Sequence, residues 1–151
     1  MGERALSLLA RPRAECSVVL VDDDAMAVLN RTYRGGVGPT DVLAFPMLEG
    51  RFHDVSPDLL GDVVISTETA QRQALAIGGG LRGELALLLV HGILHLVGYD
   101  HGTATERRDM WRRQRLILMA CGIQPPVRVC MARGRPPRPE RLHRRGPDGD
   151  A

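Results

Sequence analysis

The sequence predicts an α+β fold, a small mixed β-sheet covered by helices, in a single domain with one helix buried at its centre. Three observations predict it. Runs of strand length and helical periodicities follow one another in the order strand, helix, strand, strand, helix, helix, helix. One segment, 81–97, is apolar nearly all round, so it belongs inside the domain rather than on its surface. With 151 residues, 44% hydrophobic and 25% charged, the chain is long enough for one core of fair size.

Ser17 to Val21 is β-branched and apolar, which predicts a largely buried strand ending at Asp22, Asp23 and Asp24. That acidic triplet fits a helix cap and a first turn whose charges oppose the helix dipole better than it fits a metal site. A helix over 25–33 follows, with Met26, Leu29 and Tyr33 on one face. After the loop Arg34-Gly35-Gly36-Val37-Gly38-Pro39-Thr40-Asp41, Val42 to Phe45 reads as a strand stopped by Pro46. Met47 to Asp58 is polar and irregular. Asp62 to Ile65 is a third strand, antiparallel to the second, and Ser66-Thr67-Glu68 starts a helix that Gly78-Gly79-Gly80 ends. The apolar helix 81–97 stops at Gly98. Thr103 and Glu106 then form a capping box for a last helix whose stripe is Met110, Gln114, Ile117, Leu118 and Cys121, closed by Gly122.

Several function classes drop out on composition. No apolar run approaches the roughly 20 residues of a membrane-spanning helix, the longest being Leu85 to Val90. Ala5 to Ala10 is shorter than the apolar core of a signal peptide, and the expected location is the cytoplasm, with no membrane association. Cys16, Cys121 and Cys130 are odd in number and far apart, as suits reduced, mostly buried thiols. Every basic residue is Arg, so lysine Schiff-base and lysine general-base mechanisms are excluded. Aromatics make up 3%, too few for a stacking sheet, so any RNA contact is expected to run through charge and hydrogen bonds. Residues 126–151 carry seven Arg against Glu140, Asp148 and Asp150, a charge of +4, and are predicted to be a disordered Arg/Pro-rich basic tail beside a folded domain at 1–125.

The chemistry lies in His91-Gly92-Ile93-Leu94-His95-Leu96-Val97-Gly98-Tyr99-Asp100-His101, the pattern His-x3-His-x5-His. Two imidazoles four apart project from one helical face, and Gly98 lets the chain reverse so that His101 returns as a third ligand. Buried without a cation, two imidazoles on an apolar helix would be costly. Three neutral nitrogens with an open fourth position describe a catalytic zinc centre, one ion per chain, able to activate water and to polarise a phosphoryl or carbonyl oxygen, although imidazole suits nickel, copper and iron as well. The spacing also matches the metzincin peptidase motif, except that its general-base Glu is Gly92 here. A zinc metallopeptidase is therefore the alternative, with Asp100 orienting the adjacent His101, serving as an improvised base, or simply stabilising the turn.

The chain resembles the YbeY family of endoribonucleases through three blocks: Leu29-Asn30-Arg31-Thr32-Tyr33-Arg34-Gly35 with Pro39 to Pro46, Leu60 to Ser66, and the histidine block. The resemblance covers roughly residues 15–125. It implies a metal-dependent, single-strand-specific endoribonuclease acting in 16S rRNA 3′ end maturation and ribosome quality control. It further implies zinc on His91, His95 and His101, a catalytic Arg34, rRNA and ribosomal particles as partners, and no organic cofactor. A guanidinium suits that role because it grips two phosphate oxygens at once. Gly36-Val37-Gly38 and Ala44 depart from the family's usual residues, and the family's initial strand and much of its first helix are expected to be missing. A further alternative is a non-catalytic ribosome assembly factor with a structural metal. Arg107, Arg108, Arg112, Arg113 and Arg115 on the last helix are read as a solvated face in preference to an RNA-backbone grip.

Overall fold

The computed structural model describes residues 1–47 and 58–125; the segment within 47–58 read as irregular and the tail 126–151 lie otherwise outside the described residues. The elements are α1 (Gly2–Leu8), β1 (Glu15–Val21), α2 (Asp23–Arg34), β2 (Val42–Pro46), β3 (Leu59–Ser66), α3 (Thr67–Ala76), α4 (Leu81–Leu96) and α5 (Ala104–Ala120). The sheet is mixed, in the order β1-β3-β2. β1 runs parallel to β3, and β2 runs antiparallel to it in a register that sets Ala44 opposite Val63.

Local chemistry accounts for the helix ends. The Asp22 carboxylate accepts from the Ala25 N–H, with Asp23 and Asp24 in the first turn of α2, so the acidic triplet is a cap. Ser66 caps α3 through the Thr69 N–H, and Thr103 with Glu106 forms the predicted capping box of α5. Asp23 also ties α2 to α3, accepting from the Ser66 hydroxyl at 2.6 Å and the Thr69 hydroxyl at 2.7 Å and pairing with Arg72 at 2.6 Å. Arg72, then Ser66 and Thr69, hold the Asp23 carboxyl down to about 2.

α2 covers one face of the sheet through Met26, packed with Leu43 and Val64. The other face, with Ala44, Leu60, Val63 and Ile65, receives α4, which buries Val90, Ile93 and Leu94 completely. α1, α3 and α5 pack around α4 together with β2 and β3, so the predicted central helix sits at the centre of the domain. No single helix among the described residues is long and apolar enough to cross a membrane.

Two expectations need correction. β1 is not largely buried: Val18, Val19 and Leu20 are 46%, 44% and 55% exposed. Among the described residues β1 is a sheet edge that pairs with β3 alone, so its apolar composition reflects strand preference on both faces rather than burial. In addition, the sequence predicts no element ahead of the first strand, yet α1 forms there with Ala5 and Leu6 buried in the main core. A seven-residue helix without a side-chain cap leaves little periodicity to read. Cys16 and Cys121 are free and half-buried, and Cys130 lies outside the described residues.

Gly92 is where α4 meets β3. A Cβ placed there would stand 2.5 Å from Val63 Cγ1, too close for the branched side chain of a core strand to yield. Gly92→Ala should therefore destabilise the fold by about 1–3 kcal/mol. Gly83→Ala, in the first turn of the same helix with open space around it, should be neutral or stabilising by up to about 1 kcal/mol. Urea denaturation of the two variants checks both signs; equal stabilities would show that α4 does not depend on this contact.

Candidate metal centre

One hairpin of helices builds the site. α4 carries His91 and His95 one turn apart on a face left open at its end, and Val97 closes the helix. Gly98, at φ 93°, donates to the His95 carbonyl at 3.1 Å, while Tyr99 N–H donates to the Leu94 carbonyl at 2.9 Å. These two bonds reverse the chain in the left-handed turn that glycine permits. The Asp100 carboxylate accepts from the His101 N–H at 2.8 Å, which fixes the next residue of the turn. Asp100 is thus seen stabilising the turn.

The three histidines converge as their spacing predicts. One ligand atom from each of His91, His95 and His101 lies within 4.8 Å of the others. The Nε2 atoms of His91 and His95 are 3.1 Å apart, close to the about 3.3–3.4 Å that two Zn–N bonds of about 2.0–2.1 Å subtend at a tetrahedral angle. The rings of His91 and His101 stack at 5.8 Å and 24°, and His95 stands edge-on to both.

Gln114, from α5, completes the arrangement. Its Oε1 lies 3.1 Å from His91 Nδ1. An amide oxygen only accepts, so Nδ1 carries the proton and Nε2 turns its lone pair toward the other two rings. The sequence places Gln114 in the apolar stripe of the last helix without giving it a role. A polar residue on that stripe, four after Met110 and three before Ile117, is the signal that marks it.

Burial sets the protonation state. It is the main cause that lowers His91, with His101 adding to it, while the Gln114 bond and Asp41 act in the opposite direction. His95 is pushed down to about 4, first by burial and then by His91 and His101. Both rings are consequently neutral at pH 7, which is the form that binds a cation. Three imidazoles facing one point, two of them kept neutral by burial, fit a borderline-soft divalent ion.

Gly92 also bears on the peptidase alternative. The position where a metzincin carries its Glu is packed against Val63, and a side chain has no room there.

Arg34 comes from a different element, α2. It ends α2, is exposed, and its Nη2 donates to the Ala44 carbonyl of β2 at 3.3 Å. Tyr33, beside it, meets Phe45 edge-on at 5.1 Å and 73°. Asn30 Nδ2 donates to the Gly38 carbonyl at 2.9 Å, closing the glycine-rich loop back onto α2. The structure thus fixes Arg34 on the strand that underlies α4 and leaves the rest of its guanidinium accessible.

Comparison with known proteins gives a consistent picture. A family model described as Endoribonuclease YbeY matches residues 3–122. A protein of Moorella thermoacetica called Endoribonuclease YbeY is 51% identical over 142 residues, covering 82% of this chain and 91% of that protein. One of the same name from Salinispora tropica is 49% identical over 114 residues, covering 70% and 73%. A solution structure from Thermotoga maritima superposes with a TM-score of 0.54 over 87% of this chain and 88% of its own, at 23% identity, and so shares the fold.

Because His91 and His95 bind protons more weakly folded than unfolded, the unfolded chain takes up more protons below its ordinary imidazole value of 6.5. Stability of the metal-free protein should therefore be fully present above about pH 6.5 and fall as pH drops toward 4. Thermal melts in chelator from pH 7.5 to 4.5 check this; a flat profile would contradict the burial of the rings. Asp23 loses its contribution only nearer pH 2, outside that window.

Proposed function

Since the chain belongs to the YbeY endoribonuclease family, we propose that it cleaves single-stranded RNA at the three-histidine centre, in maturation of the 16S rRNA 3′ end and in ribosome quality control. The convergence of His91, His95 and His101 on one point carries this reading. They would hold one zinc ion per chain. When bound, the ion supplies Lewis-acid charge to a phosphodiester oxygen.

The chain's own residues do the remaining work. Gln114 holds the His91 ring in the tautomer that presents Nε2. Tyr99, whose N–H donates to the Leu94 carbonyl, closes the turn that follows His95. Arg34, tethered by one nitrogen to Ala44, offers its free N–H groups to the scissile phosphate and opposes the charge that builds there. Its position at the end of α2 keeps it out of the ligand set, so phosphate binding and metal binding rest on separate elements.

We place residues 1–125 as the catalytic unit, working in the cytoplasm on ribosomal particles. The tail at 126–151, with its charge of +4, adds salt-dependent and sequence-independent affinity for RNA. Removing it should leave the melting temperature unchanged and weaken RNA binding mainly at low salt; a truncated chain that fails to fold would assign the tail to the core.

The test of the catalytic reading is a pair of substitutions assayed on precursor rRNA with metal content measured alongside. Arg34→Ala should keep metal and melting temperature and lower cleavage by about 10²–10³, as loss of one oxyanion-stabilising donor does. Arg34→Lys should be nearly as impaired, since a point charge lacks the planar fork. His91→Ala should lose metal and activity together. Undiminished cleavage by Arg34→Ala would return that residue to a surface role.

A further inference from the structure

The chain has one tryptophan, and the fold leaves it on the surface: Trp111 of α5 is 44% exposed. A large apolar ring in a protein with few aromatics ordinarily goes to the core, so its exposure forfeits burial unless something covers it. Its surroundings indicate what. Arg107 and Arg108 precede it by four and three residues, and Arg112 and Arg115 follow by one and four. On a helix those spacings put Arg107, Trp111 and Arg115 in one row, with Arg108 and Arg112 in the row beside it.

All four arginines are exposed, and among the described residues none of them makes an ion pair. α5 carries two acids, Glu106 and Asp109, and the Glu106 carboxylate is engaged at the Thr103 N–H in the capping box. Like charges four apart on a helix repel, so the Arg108–Arg112 pair costs stability when uncovered. Arg113 belongs to the other flank, where its Nε donates to the Tyr99 hydroxyl at 3.4 Å. Trp111 stands three residues before Gln114, which reaches His91, so the patch borders the metal centre along a single helix.

We propose that this face of α5 is a docking track for single-stranded RNA, the four arginines on consecutive phosphates and Trp111 stacked on a base, leading the strand toward the histidines. The inference rests on RNA being the substrate. Composition excludes a multi-ring stacking sheet, but one ring framed by guanidinium groups is enough for one base. An acidic protein surface would satisfy the arginines and leave the ring without a stacking partner, which is why RNA is favoured.

Because Trp111 is the sole tryptophan, its fluorescence reports on this face alone. The full chain, in chelator to prevent cleavage, is titrated with a labelled single-stranded oligouridine, following tryptophan emission and RNA anisotropy together. Saturable quenching that tracks the anisotropy is expected. Trp111→Ala should weaken binding about 5- to 150-fold, the range for loss of one base–aromatic stack, and Trp111→Phe should recover most of it. Arg108→Glu with Arg112→Glu should reduce the slope of log affinity against log salt by about 1.4, at about 0.7 per single-strand phosphate contact. Binding with no change in emission, or Trp111→Ala binding as wild type while its melting temperature is unaltered, would overturn the track. So would polyglutamate quenching as strongly as RNA, which would assign the face to an acidic protein. Absence of cleavage by the metal-loaded protein, with quenching retained, would instead sink the nuclease reading and leave the track standing.

Discussion

The contact between Gly92 and Val63 is the constraint on which the rest of the molecule depends. A helix buried between a sheet and three other helices has no freedom to shift, and its distance from the sheet is set where the backbone comes closest. Gly92 lies between His91 and His95 in sequence, so the same close approach that seals the core fixes the height at which the two rings emerge. A bulkier residue would lift both rings and the hairpin that follows them. Steric and chemical requirements therefore meet at one glycine, the one that stands where a related motif in another enzyme class carries its catalytic acid.

Placing imidazoles at the margin of an apolar helix has an electrostatic consequence. Burial removes the protonated forms of His91 and His95 at neutral pH, and the His101 ring adds to the effect on both. In other proteins a charged residue would be recruited to balance a buried titratable group. Here a neutral amide, Gln114, orients the first ring without bringing charge into the core, which leaves a cation as the natural source of positive charge at that point. Arg34 is held by a backbone carbonyl, and among the described residues it has no carboxylate partner, so its charge stays available to an anion.

Much of this was legible in the sequence because the decisive signals are local. The caps at Asp22, Ser66 and Thr103, the glycine stops at 98 and 122, and the four-residue histidine spacing all act within one or two turns. What local signals cannot carry is position in the sheet. Val18, Val19 and Leu20 have the composition of a central strand, and only the order β1-β3-β2 reveals that they sit at an edge. α1 escaped for a related reason: Ala5 and Leu6 are buried by what α4 offers them, and seven residues hold too little pattern to announce it. The role of Gln114 required knowing that α5 folds back over α4, and the exposure of Trp111 required knowing which side of α5 is covered.

The turn from Gly98 to Thr103 gives the centre a different kinetic character from the sheet. The first histidine and the glutamine that orients it are separated by 23 positions, and the other two histidines lie between them. Closing a loop that short costs little chain entropy. The β1–β3 pairing, by contrast, joins strands that begin at Glu15 and Leu59 with α2 and β2 in between, and non-local parallel pairing is slow to form. The hairpin of α4 and α5 can therefore collect its donors while the sheet is still incomplete, so that an ion captured early would pin two helices together and offer the late-arriving strands a finished surface on which to condense.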